Sequence, residues 1–283
     1  MKPSLVVLTD FSPAAERARA YAAALAGPLG AELHLVHVVA PLPPIPTESG
    51  VMLMPPTDAR YVQETRQSLA QVAAGLPVSA TAELLETTWD AAIEQAIEQY
   101  RPQLIVAGLS ATHGWLDEWL SNRTRSLAHQ TGCPLLLVPE SLPATALHPP
   151  RRIALAVEDQ NFRLSPAAVG LAPLLDTLAA DLVTVCVLPH EERAGGWEGL
   201  RAVQHCGLGN AAIRSGLHKV DSTLPASGIL QGVRELQADT LALLDQDHGW
   251  LHQVFVGSVI GYVLRHTPVP VLLLPAAPVP PVD

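Results

Sequence analysis

The 283-residue chain has little of what marks the specialised protein classes. Aromatic residues are 4% of it, cysteines number three, and Lys+Arg reach 17 against 27 Asp+Glu, a net charge of −10. That balance argues against a general affinity for nucleic-acid phosphates or anionic membrane surfaces, so any anion has to be held locally. Cys133, Cys186 and Cys206 are odd in number and form no CxxC pair, which speaks against a disulfide framework and against a zinc knuckle. Hydrophobic residues make up 48% of the chain, yet no uninterrupted apolar run approaches membrane-spanning length. Thr9 and Asp10 cut the apolar part of the first ten residues too short for a secretory signal. A soluble, cytoplasmic protein is expected. GxxxxGK[ST], HExxH and GxSxG are also missing, so P-loop, zincin and nucleophile-elbow chemistries have no support.

What the chain does have is a duplication. Asp247 to Pro275 reads DHGWLHQVFVGSVIGYVLRHTPVPVLLLP, and Thr112 to Pro139 reads THGWLDEWLSNRTRSLAHQTGCPLLLVP. Both contain His-Gly-Trp, a helix-length segment, a Pro and an apolar run ending in Pro. The length suits two domains: residues 1–140, a Pro-rich linker over 141–151, and residues 152–283. Ser165-Pro166-Ala167-Ala168 repeats Ser12-Pro13-Ala14-Ala15 at an offset of 153, whereas Pro270 follows Pro134 by 136, so the second copy is 17 residues shorter between these landmarks.

Within the first copy, Leu5-Val6-Val7-Leu8 suits a strand buried on both faces of a parallel sheet. Ser12 is a candidate N-cap, with Pro13 at the first helical position. The helix that follows puts Ala14, Ala18, Tyr21 and Leu25 on one face and Glu16, Arg17 and Arg19 on the wet side, and Gly27-Pro28 is expected to stop it. Glu32 to Val39 reads as a strand, the Pro-rich stretch Pro41 to Pro56 as a long irregular loop, and Asp58 to Gly75 as a helix. Val78 to Leu85, Leu104 to Ala107 and Pro134 to Val138 complete the strands, with a helix over Thr88 to Tyr100. The second copy repeats this order with strands at Arg152 to Val157, Leu182 to Leu188, Ala212 to Val220 and Thr240 to Leu244, and helices at Trp197 to Leu208 and Ala226 to Gln237. Such alternation predicts an α/β fold with two flavodoxin-like or Rossmann-like domains, each a five-stranded parallel sheet with helices on both faces.

Two stretches carry a resemblance to a known family. LVVLTDFSPAAERARAYAAALAGPLGAELHLVHVV (residues 5–39) resembles the opening of a universal stress protein domain, and GSVIGYVLRHTPVPVLLLP (residues 257–275) resembles its close. The resemblance implies a tandem universal stress protein. It also implies an adenine-nucleotide site, with ATP the first candidate and Mg only if nucleotide is bound. In the ATP-binding class, a loop reading Gly, two residues, Gly, nine residues, then Gly-Ser or Gly-Thr holds the phosphates on backbone N–H groups. Adenine lies near the ends of the first two strands. Carried over position by position, the expected nucleotide contacts are Asp10, Val38, Gly108, Gly114, Ser121 and Asn122 in the first half and Gly249, Gly257 and Ser258 in the second.

Both halves depart from the pattern. Six residues separate Gly114 from Ser121, and Ser121-Asn122 replaces Gly-Ser. Seven residues separate Gly249 from Gly257, and Leu243-Leu244 stand where the first loop glycine is expected. Glu158-Asp159 runs into Gln160-Asn161, an insertion before the second copy's first helix. Trp115 and Trp250 follow His-Gly, where an indole can stack on a base or plug the pocket. His248 and His252 have metal-ligand spacing beside Asp247, but Gly249 opposes a helix there and no third ligand is evident. Gly207 to Ala212 imitates a dinucleotide fingerprint but follows a helix instead of a strand.

The reading is a stress-response regulator whose nucleotide binding is weak, partial or lost, acting by association with protein partners and not by turnover. Slow ATP hydrolysis or nucleotidyl transfer, with Arg123 and Arg125 near the phosphates, is the alternative, and a scaffold for apolar ligands is a third. The apolar strands at Leu135 to Val138 and Val271 to Leu274 are expected to pair with each other, making the chain an intramolecular pseudo-dimer that could pair again as a homodimer.

Overall fold

A computed structural model describes residues 2–41, 45–46, 52–53, 58–110, 128, 131–246 and 259–279. In the first half, β1 (Ser4–Leu8) leads into α1 (Pro13–Leu29), β2 (Glu32–Val38), the short strands β3 (Ile45–Pro46) and β4 (Met52–Leu53), and α2 (Ala59–Ala74). β5 (Ala80–Leu85), α3 (Trp89–Tyr100), β6 (Leu104–Leu109) and β7 (Leu135–Pro139) follow. The second half has β8 (Arg152–Ala156), β9 (Phe162–Leu164), α4 (Pro166–Val169), α5 (Ala172–Leu178), β10 (Asp181–Leu188), α6 (Trp197–His205) and α7 (Asn210–Ile213). It closes with β11 (Gly216–Asp221), α8 (Pro225–Glu235), β12 (Thr240–Asp245), α9 (Val259–His266) and β13 (Val271–Pro278). No described helix is long and apolar enough to cross a membrane.

Each half forms five parallel strands in the same order. The path β5-β2-β1-β6-β7 in the first matches β11-β10-β8-β12-β13 in the second. Numbered within each half this is 3-2-1-4-5, the Rossmann order, with its ligand crevice at the carboxyl ends of the strands where the winding reverses. β7 and β13 then pair antiparallel, Val271 with Leu137, Leu272 with Leu136 and Leu273 with Leu135. The register is symmetric about Leu136 and Leu272, so the two sheets become one.

Alternation along the strands gives this joined sheet two apolar faces, each continuous across both halves. One gathers Leu5, Val7, Leu136, Leu155 and Leu272 under α1 and α5, and the other gathers Val6, Leu8, Leu135, Leu137, Leu241 and Leu273 under α3, α8 and α9. The halves are tied further by Ser165 Oγ donating to the Gly132 carbonyl at 2.9 Å and by a 3.5 Å contact between the Tyr21 and Thr240 hydroxyls. Burial raises the Tyr21 phenol to about 12.

Several local expectations need correction. Pro28 does not end α1, because the helix runs to Leu29 and stops at Gly30, which takes the left-handed φ of 59° and passes its N–H to Gly27 O while Ala31 N–H reaches Ala26 O. Pro28 sits inside the last turn, and the termination chemistry belongs to Gly30. Arg19 is not on the wet side, since only 8% of it is exposed. The Pro-rich loop carries a two-residue antiparallel ladder, Ile45 with Leu53 and Pro46 with Met52.

In the second half, residues 212–215 are not strand. Asp176 takes the backbone and side-chain N–H groups of Asn210 at 2.8 and 3.0 Å and so starts the short helix α7 there. The insertion after Glu158 holds an unanticipated strand, β9, paired antiparallel with the end of β13 at Ala276–Pro278. The helix after Ser165 is also broken, with Gly170 closing α4 before α5 begins.

Candidate functional site

The topology places a switch point at the carboxyl edge of each half. In the first half it is organised by the turn Thr9 to Ser12. Thr9 continues β1 by donating its N–H to Val36 O at 3.0 Å. Asp10 Oδ1 accepts the Ser12 N–H at 3.0 Å, and Ser12 Oγ accepts the Ala15 N–H at 3.2 Å, which caps α1. Between them Phe11 has a φ of 63°, a left-handed conformation that costs a non-glycine residue about 1–2 kcal/mol. Its ring leans on His37, centroid to centroid 5.0 Å.

Thr9 is itself held from two sides. Arg19 Nη1 donates to Thr9 Oγ1 at 2.6 Å, and His37 Nδ1 donates to the Thr9 carbonyl at 2.6 Å, which places the ring proton on Nδ1 because a carbonyl only accepts. Burial pulls the Arg19 pKa down, and the charges of Glu16 and Asp10 act against it.

Three of the expected contacts gather at this edge. Asp10 stands two residues past β1, Val38 ends β2 in register with Leu85, and Gly108 lies in β6 opposite Val138. Gly108 is a strand residue and not a loop residue. A Cβ there would fall 2.3 Å from the Ala14 carbonyl carbon, so glycine is required by the close passage of β6 under α1. Gly114, Ser121, Asn122, Gly249, Gly257 and Ser258 lie outside the described residues, as do Trp115, Trp250, His248 and His252.

The second half builds the same edge from different side chains. Ser165 Oγ accepts the Ala168 N–H at 3.1 Å, the counterpart of the Ser12 cap. Val157 donates its N–H to Val185 O at 3.0 Å, as Thr9 does to Val36. Cys186 falls where His37 stands and its thiol approaches the Val157 carbonyl at 3.4 Å; burial first, and then the charge of Asp159, push that thiol up to about 12. Leu244 occupies the Gly108 register position, since both pair three residues after the start of the β6–β7 and β12–β13 ladders.

Asp10 is matched by Glu158, bridged to Gln160 Nε2 at 2.7 Å. Asp159 turns away to cap α6, taking the N–H groups of Glu198 and Gly199 at 2.8 and 3.0 Å. Burial would raise the Asp159 carboxyl, but the N–H groups of Gly196, Gly199 and Glu198, together with Lys219, outweigh it and hold the pKa below the ordinary value. A cleft of about 410 Å³ opens here, lined by Glu158, Asp159, Gln160, Leu188, Glu192 and Thr223 among others. Among the described residues its lining carries three carboxylates and no Lys or Arg. Among the described residues no group of three His, Cys, Asp or Glu side chains could hold a metal ion.

Arg19 escaped the sequence reading because its spacing beside Glu16 and Arg17 is that of a solvated helix face. The one available signal was Thr9, a polar residue closing an apolar run.

Two Rossmann-ordered sheets, joined through their fifth strands, define a duplicated α/β protein. The chain belongs to the universal stress protein family, whose model, described as "Universal stress protein family", matches residues 2–139 and 167–275. Among solved structures, a universal stress protein from Archaeoglobus fulgidus DSM 4304 is 16% identical, with 96% of each chain covered and a TM-score of 0.59. A functionally unknown protein from Pseudomonas aeruginosa PAO1 is 15% identical, covering 96% of this chain and 92% of its own, at a TM-score of 0.54. The cytoplasmic domain of a prokaryotic cation chloride cotransporter is 11% identical over 97% of this chain and 95% of its own, at 0.51. At these identities the likeness concerns the fold alone. No curated protein matches the sequence.

Proposed function

We propose that this protein is a stress-response regulator that takes an adenine nucleotide in its first half only and works by ligand-biased association with protein partners instead of turnover. The observation that carries this reading is the difference between the two carboxyl edges. The first half puts Asp10, Val38 and Gly108 together with a buried cation behind them, whereas the second puts Glu158, Val187 and Leu244 at the matching positions, beside a cleft whose charged lining, among the described residues, is wholly acidic. A triphosphate entering the second cleft would meet like charge, which costs affinity. Magnesium would accompany a nucleotide bound in the first half and would supply charge neutralisation on its phosphates.

The apolar-ligand reading has less room. The apolar cavity between the halves, under Tyr21, Leu25, Leu136, Leu174, Thr240 and Leu272, measures about 40 Å³, against about 300–1,000 Å³ for drug-sized sites. The test is to purify the protein without added nucleotide, denature it and identify the small molecules released. ATP, ADP or AMP at about one per chain supports the reading. None released, with no heat on titrating ATP, removes it.

A further inference from the structure

Thr9 is the most tightly held residue of the first-half edge. It is fully buried, as are nearly all of Arg19 and His37. Its N–H is spent on Val36, its hydroxyl on Arg19 and its carbonyl on His37. Arg19 makes no ion pair among the described residues: its guanidinium is buried with the Thr9 hydroxyl as hydrogen-bond partner, and the carboxylates of Glu16 and Asp10 act on it only at longer range. A charge placed this way is costly to keep and is not what a helix needs in order to pack. One residue further on is Asp10, and next comes Phe11 in a backbone conformation that surrounding contacts must impose. The contacts that impose it are the Phe11 ring on His37 and the Ser12 N–H on Asp10.

We propose that Arg19 and His37 clamp Thr9 so that the strained Phe11 turn presents the Asp10 carboxylate to the nucleotide, making Arg19 a positioning residue of the first-half site; this rests on the nucleotide reading above. The second half serves as an internal control. The strand ending is preserved there, but Val157 has no hydroxyl, Cys186 replaces His37, and Ala172 stands seven residues after the cap serine where Arg19 follows Ser12. Asp159 occupies the place of Phe11 and is committed to α6. Without a clamp the chain departs into β9, and the acidic residue there, Glu158, is held by Gln160 Nε2 at 2.7 Å instead of by the backbone of a left-handed turn.

The test combines amide exchange with ATP titration on the full chain. Arg19→Met keeps the length of the side chain and removes its donors. It should speed exchange of the Ser12 amide about tenfold while leaving the Val157 amide of the second half unchanged. It should also weaken ATP about tenfold at unchanged stoichiometry. Arg19→Lys, which can still donate to Thr9, should recover part of both. Thr9→Val should repeat the Arg19→Met defect, and the double variant should be no worse than either single one. Adding Phe11→Gly to Arg19→Met should recover affinity, because glycine holds the left-handed turn without a clamp, a rescue that a merely structural role would not give.

Unchanged Ser12 exchange in Arg19→Met, or acceleration throughout the first half with ATP affinity intact, overturns the proposal. Should the wild type take no ATP, the nucleotide reading fails by itself. The exchange arm still decides the clamp: a local effect at Ser12 upholds it and none refutes it.

Discussion

The two carboxyl edges share a backbone and differ in what stands behind it. Both have a serine capping the first helix, a residue beyond the first strand that prolongs its ladder, and a donor aimed at that residue's carbonyl. In the first half the donor is His37, joined by Arg19; in the second it is Cys186, a poor donor with no counterpart of Arg19. The two halves therefore share what folding demands of each and differ at the carboxyl edge. The constraint that holds one glycine in place shows this at one position. Gly108 lies under the backbone of Ala14, whereas Leu244 has room because five extra residues between Glu158 and Ser165 carry the chain out through β9 before its helix begins.

Making the halves alike at this position should have the largest effect. Gly108→Leu drives a side chain into backbone that cannot rotate away, so its cost should exceed about 4 kcal/mol and leave the first half unfolded in thermal or urea denaturation. Leu244→Gly, the reverse change, empties a buried position and should cost about 2–5 kcal/mol. A smaller contrast concerns the caps. Ser12→Ala should lose about 1 kcal/mol. Ser165→Ala should lose about 1 kcal/mol more, because Ser165 also serves the Gly132 carbonyl across the seam between the halves. Urea midpoints of the two variants measure the difference.

The smallest expected effect separates the acidic residues. The folded-state pKa of Asp159 lies below its unfolded value, so its contribution to stability is full above the ordinary carboxylate range and is lost as pH falls through the depressed one. Asp159→Asn should be less stable than the wild type at neutral pH, with the gap closing below about pH 4. A gap that stays constant down to acid pH would show that the α6 cap does not depend on the charge.

The architecture was legible in the sequence because its determinants are local and repeated. Buried parallel strands read as apolar runs, Ser12-Pro13 and Ser165-Pro166 announce helix starts, and the two apolar endings at Leu135 and Val271 predict the seam at which they pair. The misses have non-local causes. β9 exists only because the end of β13 extends past β7 and offers it an edge. The short helix α7 replaces the start of the strand expected from Ala212, the rest of which forms β11, because Asp176, 34 residues from Asn210, caps it. Arg19 looks solvent-facing on a helical wheel, and only the fold brings Thr9 to it. At the carboxyl edge, Asp10 was legible as the residue that closes the first apolar run and Val38 as one near the end of the second strand, which was expected to run to Val39 and ends at Val38. Gly108 was read as a loop residue because its reason for being glycine is the passage of α1 overhead.

The central claim is that one half holds the nucleotide and the other does not. Isothermal titration of the intact chain with ATP and Mg tests it most directly. The account predicts about one site per chain, abolished by Asp10→Ala and unmoved by Glu158→Ala. Two sites per chain, or a single site that survives Asp10→Ala and disappears with Glu158→Ala, would contradict it.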